Sequence, residues 1–197
     1  AIPSQWTPVS ITRKGKQTPT RSGQPAPETR NNGTRVAPPS SRYKSDREGD
    51  LFHVSVPDDW RDIATSTSVT FVPDGGYDQV QGHTVFTHGV ELGFTRSEIH
   101  SLHEATQEFV EGLAQANPSL RTTDRAQTTK VSDRSGLVTT LENISEKTDR
   151  RETITIVTTL LRDGNLFYCI AVAQQDKQQA YKGSFTRVAQ SIRLGDQ

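Results

Sequence analysis

The sequence has little cysteine, no methionine and no long apolar run, and each absence narrows what the chain can be. Cys169 is the only cysteine among 197 residues, so no disulfide can form within the chain. It follows Phe167 and Tyr168, so we expect it to be a buried small hydrophobe. No apolar stretch approaches the ~20 residues that a membrane-spanning helix needs, and we expect no direct membrane span. Because Ala1 is not an initiator methionine, we also expect that a preceding segment was removed.

The sequence also lacks the spaced motifs on which common catalytic and cofactor sites depend. The glycine-rich phosphate-binding patterns, the Gly-x-Ser-x-Gly turn and the zinc-binding His-Glu-x-x-His pattern are all missing. His100 and His103 lie three residues apart, which is the wrong order and spacing for that zinc motif. His88 falls in an apolar row, where a hydrogen-bonded core histidine is the usual outcome. We therefore expect no enzyme, with no catalytic residue, no metal and no cofactor.

What the sequence does contain is a change of composition near residue 50. Residues 1–50 hold seven of the ten prolines and nine Lys or Arg against four Asp or Glu, a net charge of +5. Residues 51–197 hold fourteen against nineteen, a net charge of −5. The first stretch has few clustered apolar side chains, so burial cannot offset the entropy of ordering it. We predict a Pro-rich basic arm or linker over 1–50, the N-terminal arm, and one α+β domain over 51–197, the body.

One segment of the N-terminal arm has the pattern of an edge strand. Trp6, Val9 and Ile11 supply apolar side chains that would let the segment add to an exposed sheet edge, so we predict partner binding there. The basic residues of the arm are spread without interleaved aromatic residues, and we expect no nucleic-acid partner. The alternative is that the arm serves only as a linker.

Apolar alternation predicts six or seven strands in the body. The predicted strands are 51–56, 69–72, 85–94, about 121–131, 137–144, 153–162 and 166–173. The last two are apolar on both faces, which predicts a central hairpin covered on both sides, and Asp163-Gly164 suits a type I′ turn between them. Gly89 and Gly93 leave one face of the third strand open to close approach by another element.

Helical spacing predicts three helical segments around this sheet. A short helical piece follows Pro57 and runs through Ile63. A longer helix starts from a capping box at Thr95–Glu98 and ends at Asn117-Pro118. The final helix covers roughly 176–194. It turns four apolar side chains inward, namely Tyr181, Phe185, Val188 and Ile192. The fold class is therefore predicted as α+β, an antiparallel sheet of six or seven strands flanked by helices.

Four motifs of the body, taken together, resemble a known family. They are Phe52-x-Val54-x-Val56-Pro57-Asp58-x-Trp60, Val69-Thr70-Phe71-x-Pro73-x-Gly75-Gly76-Tyr77, Gly82-x-x-Val85-Phe86-Thr87-His88-Gly89 and Leu160-Leu161-x-Asp163-Gly164-x-Leu166-Phe167-Tyr168. Their order resembles the carboxy-terminal domain of some bacterial CAAX-type zinc metalloproteases, a domain similar in pattern to the PsbP-like fold. The resemblance runs from about residue 41 to residue 194. It implies a PsbP-like sandwich in a periplasmic or cell-surface setting, without the protease's catalytic domain.

Three functional hypotheses follow. The first is a non-catalytic binding or assembly domain of an extracytoplasmic protein, which docks on a larger envelope complex or filament through its arm. In that case the basic arm of a neighbour and the acidic body attract each other, and self-association through the arm is expected. The second is a C-terminal accessory fragment of a membrane-associated zinc metalloprotease. The third is a small-ligand module with a pocket between Trp60, Tyr77 and His88.

Overall fold

The structure, a computed structural model, describes residues 36–65, 67–80, 83–145 and 148–195. These residues form thirteen strands and two helices, joined by turns and loops. Their bounds are β1 (Tyr43–Glu48), β2 (Phe52–Pro57), β3 (Arg61–Ala64), β4 (Ser68–Val72), β5 (Tyr77–Val80), β6 (His83–Phe86), β7 (Gly89–Thr95), α1 (Leu102–Ala116), β8 (Arg121–Thr122), β9 (Gln127–Val131), β10 (Arg134–Ile144), β11 (Arg151–Leu160), β12 (Leu166–Gln174), α2 (Gln178–Ser191) and β13 (Arg193–Leu194). Neither helix has the length and apolar character to cross a bilayer.

The strands form one large antiparallel sheet and two small ones. The central sheet has the order β3-β4-β7-β12-β11-β10-β8, and β9 pairs with β10 beside this path. A second sheet has the order β1-β2-β13, and β5 pairs with β6 alone. The predicted α+β class, with an antiparallel sheet flanked by helices, is confirmed.

The core lies on both faces of the central sheet. On one side, which we call the α2 face, the sheet packs against α2 and the β1-β2-β13 sheet. On the other side, the α1 face, it packs against α1. Phe167 and Cys169 of β12 point to the α2 face, whereas Leu166 and Tyr168 point to the α1 face. This alternation places apolar side chains in two separate clusters.

The central hairpin and the inward side of the last helix are confirmed. β11 and β12 pair from Glu152 opposite Gln174 to Leu160 opposite Leu166, and they occupy the middle of the sheet. The four residues predicted to turn inward, three in α2 and one at its C-cap, are all buried, at 0–8% exposure. They are Tyr181, Phe185, Val188 and Ile192.

The turn of that hairpin differs from the prediction. A type I′ turn needs positive φ at both central residues. Gly164 has φ 86°, but Asp163 does not have a positive φ. The Gly164 N–H donates to the Leu161 carbonyl at 3.1 Å, and the Leu161 N–H donates to the Asn165 carbonyl at 2.8 Å. The predicted type I′ turn is therefore wrong, and a longer loop with one left-handed glycine closes the hairpin.

Both predicted helix starts in the first half of the body are also wrong. After Pro57 the chain makes a turn, closed by the Trp60 N–H on the Pro57 carbonyl at 3.1 Å, and then pairs as β3 with β4. The α1 helix begins at Leu102, after the N-cap Ser101, because the Ser101 hydroxyl accepts from the Glu104 N–H at 3.4 Å. His100 therefore precedes the helix, and strand β7 continues through Thr95.

The described end of the N-terminal arm is packed on the body. β1, which the sequence analysis did not predict, lies inside residues 1–50 and pairs along its whole length with β2. Before it, residues 36–42, which we call the anchor segment, contact the body, and Val36 packs against the α2-face core. A boundary at residue 50 would separate β1 from the strand with which it pairs, so the packed region includes residues from 36 onward.

Candidate functional site

Two of the three residues predicted to form a pocket, Trp60 and His88, contact the same third ring. Trp60 and His88 are buried at 1% exposure each, and both rings contact Tyr181, at centroid distances of 6.3 and 5.1 Å. Tyr77 is half-buried, and the Arg61 guanidinium lies 6.0 Å from its ring centroid. The structure thus joins two of the three residues through Tyr181, and the role of all three in ligand binding stays a prediction.

His88 is positioned by a break in what was predicted as one strand from 85 to 94. The N–H groups of Thr87 and His88 both donate to the Gly76 carbonyl, at 2.8 and 3.4 Å, and this separates β6 from β7. The Thr87 hydroxyl lies 3.0 Å from His88 Nδ1. A Cβ at Gly76 would lie 2.9 Å from the His88 carbonyl oxygen, so this close approach requires glycine.

The anchor segment is fixed beside this buried aromatic group. The Tyr181 hydroxyl donates to the Ala37 carbonyl at 2.7 Å, and the Ser40 N–H donates to the Asp59 carboxylate at 3.1 Å. Burial raises the pKa of Tyr181, and the nearby Asp59 carboxylate raises it further, so the hydroxyl remains a donor. The N-terminal arm therefore enters the body at a defined place on the α2 face. Trp6, Val9 and Ile11 lie outside the described residues.

A row of residues across neighbouring strands on the α1 face is the second candidate site. None of its residues was among the predicted site residues. Antiparallel register aligns one residue from each of four neighbouring strands, and we call these four the Glu91 row. They are Ile63 of β3, Thr70 of β4, Glu91 of β7 and Ile170 of β12. The next residue in register, Ile156 of β11, is fully buried and shares a core cluster with α1. Thr70 is 6% exposed, whereas Ile63, Glu91 and Ile170 are half-buried, so the α1 face is closed under α1 and only partly open along the Glu91 row, which we call its open half.

Tyr168 stands at the border between the closed and open halves. Its ring stacks on Phe109 of α1 at 4.8 Å, and its hydroxyl donates to Glu91 Oε1 at 3.1 Å. A Cβ at Gly93 would lie 2.5 Å from the Tyr168 hydroxyl. The expectation that the glycine face of this strand is closely approached is correct, and the approaching group is Tyr168.

The Glu91 carboxyl is held in a low-dielectric setting by these neighbours. Burial raises the pKa of Glu91 above the usual carboxyl value. The hydroxyl groups of Tyr168, Ser68 and Thr70 act in the opposite direction, because each stabilises the charged form. Burial also raises the pKa of Tyr168 well above its usual value, and the charge of Glu91 adds to this. The Glu91 carboxyl is thus a hydrogen-bond acceptor, and a nearby cation would stabilise its charged form further.

A signal for Glu91 exists in the sequence. Gly89, Glu91 and Gly93 alternate on the second face of an otherwise apolar strand, so a lone acid stands between two residues without side chains. A charged residue in such a strand is rarely buried without a partner. Its hydroxyl neighbours come from strands 68–72 and 166–174, and only the register of the sheet brings them together.

A second buried carboxyl lies at one end of the α1 face. Glu152 of β11 is 4% exposed and lies opposite Asn143 of β10 and Gln174 of β12. Asn143 Nδ2 lies 3.5 Å from its Oε2, whereas its Oε1 has no hydrogen-bond partner. Burial raises the pKa of Glu152 to about 7, an effect that nearby Ser145 and Asn143 reduce. Its charge state therefore changes close to neutral pH.

The remaining candidates for chemistry are inert or dispersed. Cys169 is 3% exposed, and burial raises its pKa to about 12, so the thiol stays protonated and packs as the predicted small hydrophobe. Within the described ranges, no three His, Cys, Asp or Glu side chains come together as ligands for a metal ion.

The fold is shared with solved structures of very different sequence. No protein-family model and no curated protein matches the sequence. The Ran-binding protein Mog1p of Saccharomyces cerevisiae is similar in structure, with a TM-score of 0.56 and 12% identity over 80% of this chain and 97% of that chain. The cyanobacterial PsbP protein of Synechocystis sp. PCC 6803, CyanoP, has a TM-score of 0.53 and 14% identity over 86% and 99% of the two chains.

These similarities confirm the predicted PsbP-like fold, and they extend it to the fold of Mog1p. Both solved chains are covered almost completely, and the matched stretch of this chain is longer than residues 51–197. The link to CAAX-type zinc metalloproteases stays a prediction. At this level of identity the similarity describes the fold alone.

Proposed function

We propose that the chain is a non-catalytic binding domain that docks on a larger assembly through its N-terminal arm. The assembly is an envelope complex or filament, and the setting is periplasmic or cell-surface, as the family resemblance implies. The partner is a protein, which includes further copies of the same chain. The fold supports protein binding, because Mog1p, which has the same fold, is described as Ran-binding.

The fixed position of the anchor segment is the observation on which the proposal depends. Residues 1–35 hold six Lys or Arg and one Glu, so they carry all of the arm's net charge of +5. The chain is tied to the body directly after them, through Val36, Ala37 and Ser40. A basic segment tethered at a defined point on an acidic body is suited to contact an acidic surface of another molecule.

The proposal is tested by removing charge from the arm of the full chain. In the variant with Arg13→Gln, Lys14→Gln and Lys16→Gln, we expect a smaller mass than the unchanged chain by light scattering, because the attraction between arm and body is weakened. The matched control removes three exposed basic residues of the body, Arg96→Gln, Arg125→Gln and Lys130→Gln, and should keep the original mass.

Deletion of residues 1–35 is the second test. The described sheet pairings and core clusters join residues within 36–195 to one another, so we expect the fold to remain and the assembly to be lost. Deletion to residue 40, in contrast, would also remove the Tyr181 and Asp59 contacts and confuse the result. A deletion variant with an unchanged number of chains per particle would contradict the proposal. Nothing in the described structure favours the alternative of a metalloprotease fragment.

A further inference from the structure

The open half of the α1 face has the features of a receptor for a basic side chain. We propose that the Glu91 row is the docking site for residues 13–16, Arg-Lys-Gly-Lys, from the arm of a second copy of this chain. The inference rests on the proposed function, since it names the surface of the body that receives the arm.

The Glu91 carboxylate accepts hydrogen bonds but has no cation partner among the described residues. Arg61, two residues before Ile63 in β3, lies instead over the Tyr77 ring. Removing a carboxylate from water is unfavourable unless a cation or hydrogen-bond donors replace the water, and the donors to Glu91 found in the described part of the chain are hydroxyl groups. An incoming ammonium or guanidinium group would supply the missing positive charge.

The Glu91 row has an isoleucine at each end and a carboxylate between them, which suits a long basic side chain. Ile63 and Ile170 lie at the ends of the row and are half-buried, so part of each side chain remains open to a partner. Lys and Arg have long aliphatic stems that pack on apolar surface while the charged end reaches a polar group. The row provides both parts, two isoleucines for the stem and a carboxylate for the charged end.

The N-terminal arm supplies the basic side chain. Arg13, Lys14 and Lys16 are the densest basic group in residues 1–35. Nineteen residues lie between Lys16 and Val36, a distance of at most about 70 Å when the chain is extended. The anchor segment, however, is fixed on the α2 face by Tyr181, while Glu91 points to the opposite face. The chain's own arm would have to pass around an edge of the sheet to reach the row, so the proposal takes the arm of a second copy as the occupant.

The site is tested with Glu91→Gln in the full chain, which keeps the size of the side chain and its acceptor oxygen but removes the charge. We expect self-association, measured by sedimentation equilibrium, to weaken at least about tenfold, as for loss of a charge-assisted hydrogen bond. The matched control is Glu142→Gln in β10, which removes the same charge from the α2 face of the sheet. There the Glu142 carboxylate lies 4.0 Å from Arg151. This control should change association less than about twofold. Circular dichroism checks that both variants are folded.

Mixing two defective variants identifies the occupant. The variant Arg13→Gln, Lys14→Gln, Lys16→Gln has an intact Glu91 row, and Glu91→Gln has an intact arm. If the arm of one copy docks on another, neither variant associates alone, but a labelled 1:1 mixture forms mixed pairs in sedimentation velocity. If the mixture forms no pairs, the second-copy occupant is wrong, and a contact within one chain or with another protein would be left.

The outcomes separate this inference from the proposed function. If the arm variant loses assembly and Glu91→Gln keeps it, the Glu91 row is not the receptor, and docking through the arm stands. If neither substitution changes assembly, both are overturned. If both lose assembly while Glu142→Gln does not, the docking site is supported.

Discussion

The two faces of the central sheet differ in how completely they are closed and in what they enclose. The α2 face packs aromatic and aliphatic side chains at 0–8% exposure under a helix and a second sheet. The α1 face has one helix over β10 and β11, and its other half is open at Ile63 and Ile170. It also carries Glu91 and Glu152, two carboxyl groups whose pKa burial raises. The α1 face thus combines core packing with buried carboxyl groups, whose burial is unfavourable unless hydrogen-bond donors or protonation compensate for the lost water.

The largest effect should come from removing equal side-chain volume from the two faces. Leu92 on the α2 face is fully buried, so Leu92→Ala should lower the free energy of unfolding by about 2–5 kcal/mol. Ile170 is half-buried, so Ile170→Ala should cost about 1 kcal/mol, because less apolar area leaves water on folding. Urea unfolding of both variants measures the difference. Equal losses would mean that the α1 face is as closed as the α2 face.

The pH dependence of stability should follow Glu152 on the α1 face. Its pKa rises from 4.5 to about 7 on folding, so between these values the folded state holds a proton that the unfolded state releases. The free energy of unfolding should therefore fall as pH rises from about 4.5 to 7, by up to about 3 kcal/mol, and level off above. Glu91 acts in the same direction, since its pKa is also raised.

Glu152→Gln provides the comparison, because the amide is neutral at every pH in this range. Its urea midpoint should change much less than that of the unchanged chain between pH 5 and pH 8, with Glu91 accounting for what slope is left. A variant with the full original slope would assign the pH dependence to other groups.

The smallest effect should come from the hydroxyl group at the border of the open half. Tyr168→Phe keeps the stack on Phe109 but removes the donor to Glu91, so it should cost about 0.5–1.5 kcal/mol. The control is Tyr43→Phe, which removes a hydroxyl that donates to the neutral Ser184 at 3.2 Å on the other side of the molecule. Thermal unfolding measures both. If Tyr43→Phe costs more than Tyr168→Phe, the hydrogen bond from Tyr168 to Glu91 contributes no more to stability than one between two hydroxyl groups.

The parts of the fold that could be predicted are those that each strand or helix encodes alone. Alternation at Phe52, Val54 and Val56 gave β2, because a strand half-covered by a core repeats every second residue. The apolar positions of α2 gave its buried side for the corresponding helical reason. The central hairpin was recognisable because both of its strands are apolar on both faces.

The parts that were missed depend on contacts between distant segments. β1 has only one aromatic residue, Tyr43, in six, and it forms a strand because β2 offers a free edge. The position of α1 was missed because Thr95 and Ser101 both fit a cap, and strand β7 continues through Thr95. Likewise, Glu91 meets Tyr168 only through the register of β7 and β12. A single sequence contains no direct sign of this pairing.

The buried position of Trp60 gives the protein an internal optical reporter. The chain has two tryptophans, Trp6 and Trp60, and Trp60 is 1% exposed beside the Tyr181 ring that holds the anchor segment. With Trp6→Phe, all indole emission would come from this one place. Its wavelength and quenching by iodide would then follow, without any added dye, whether the anchor segment is seated when the arm engages a neighbour.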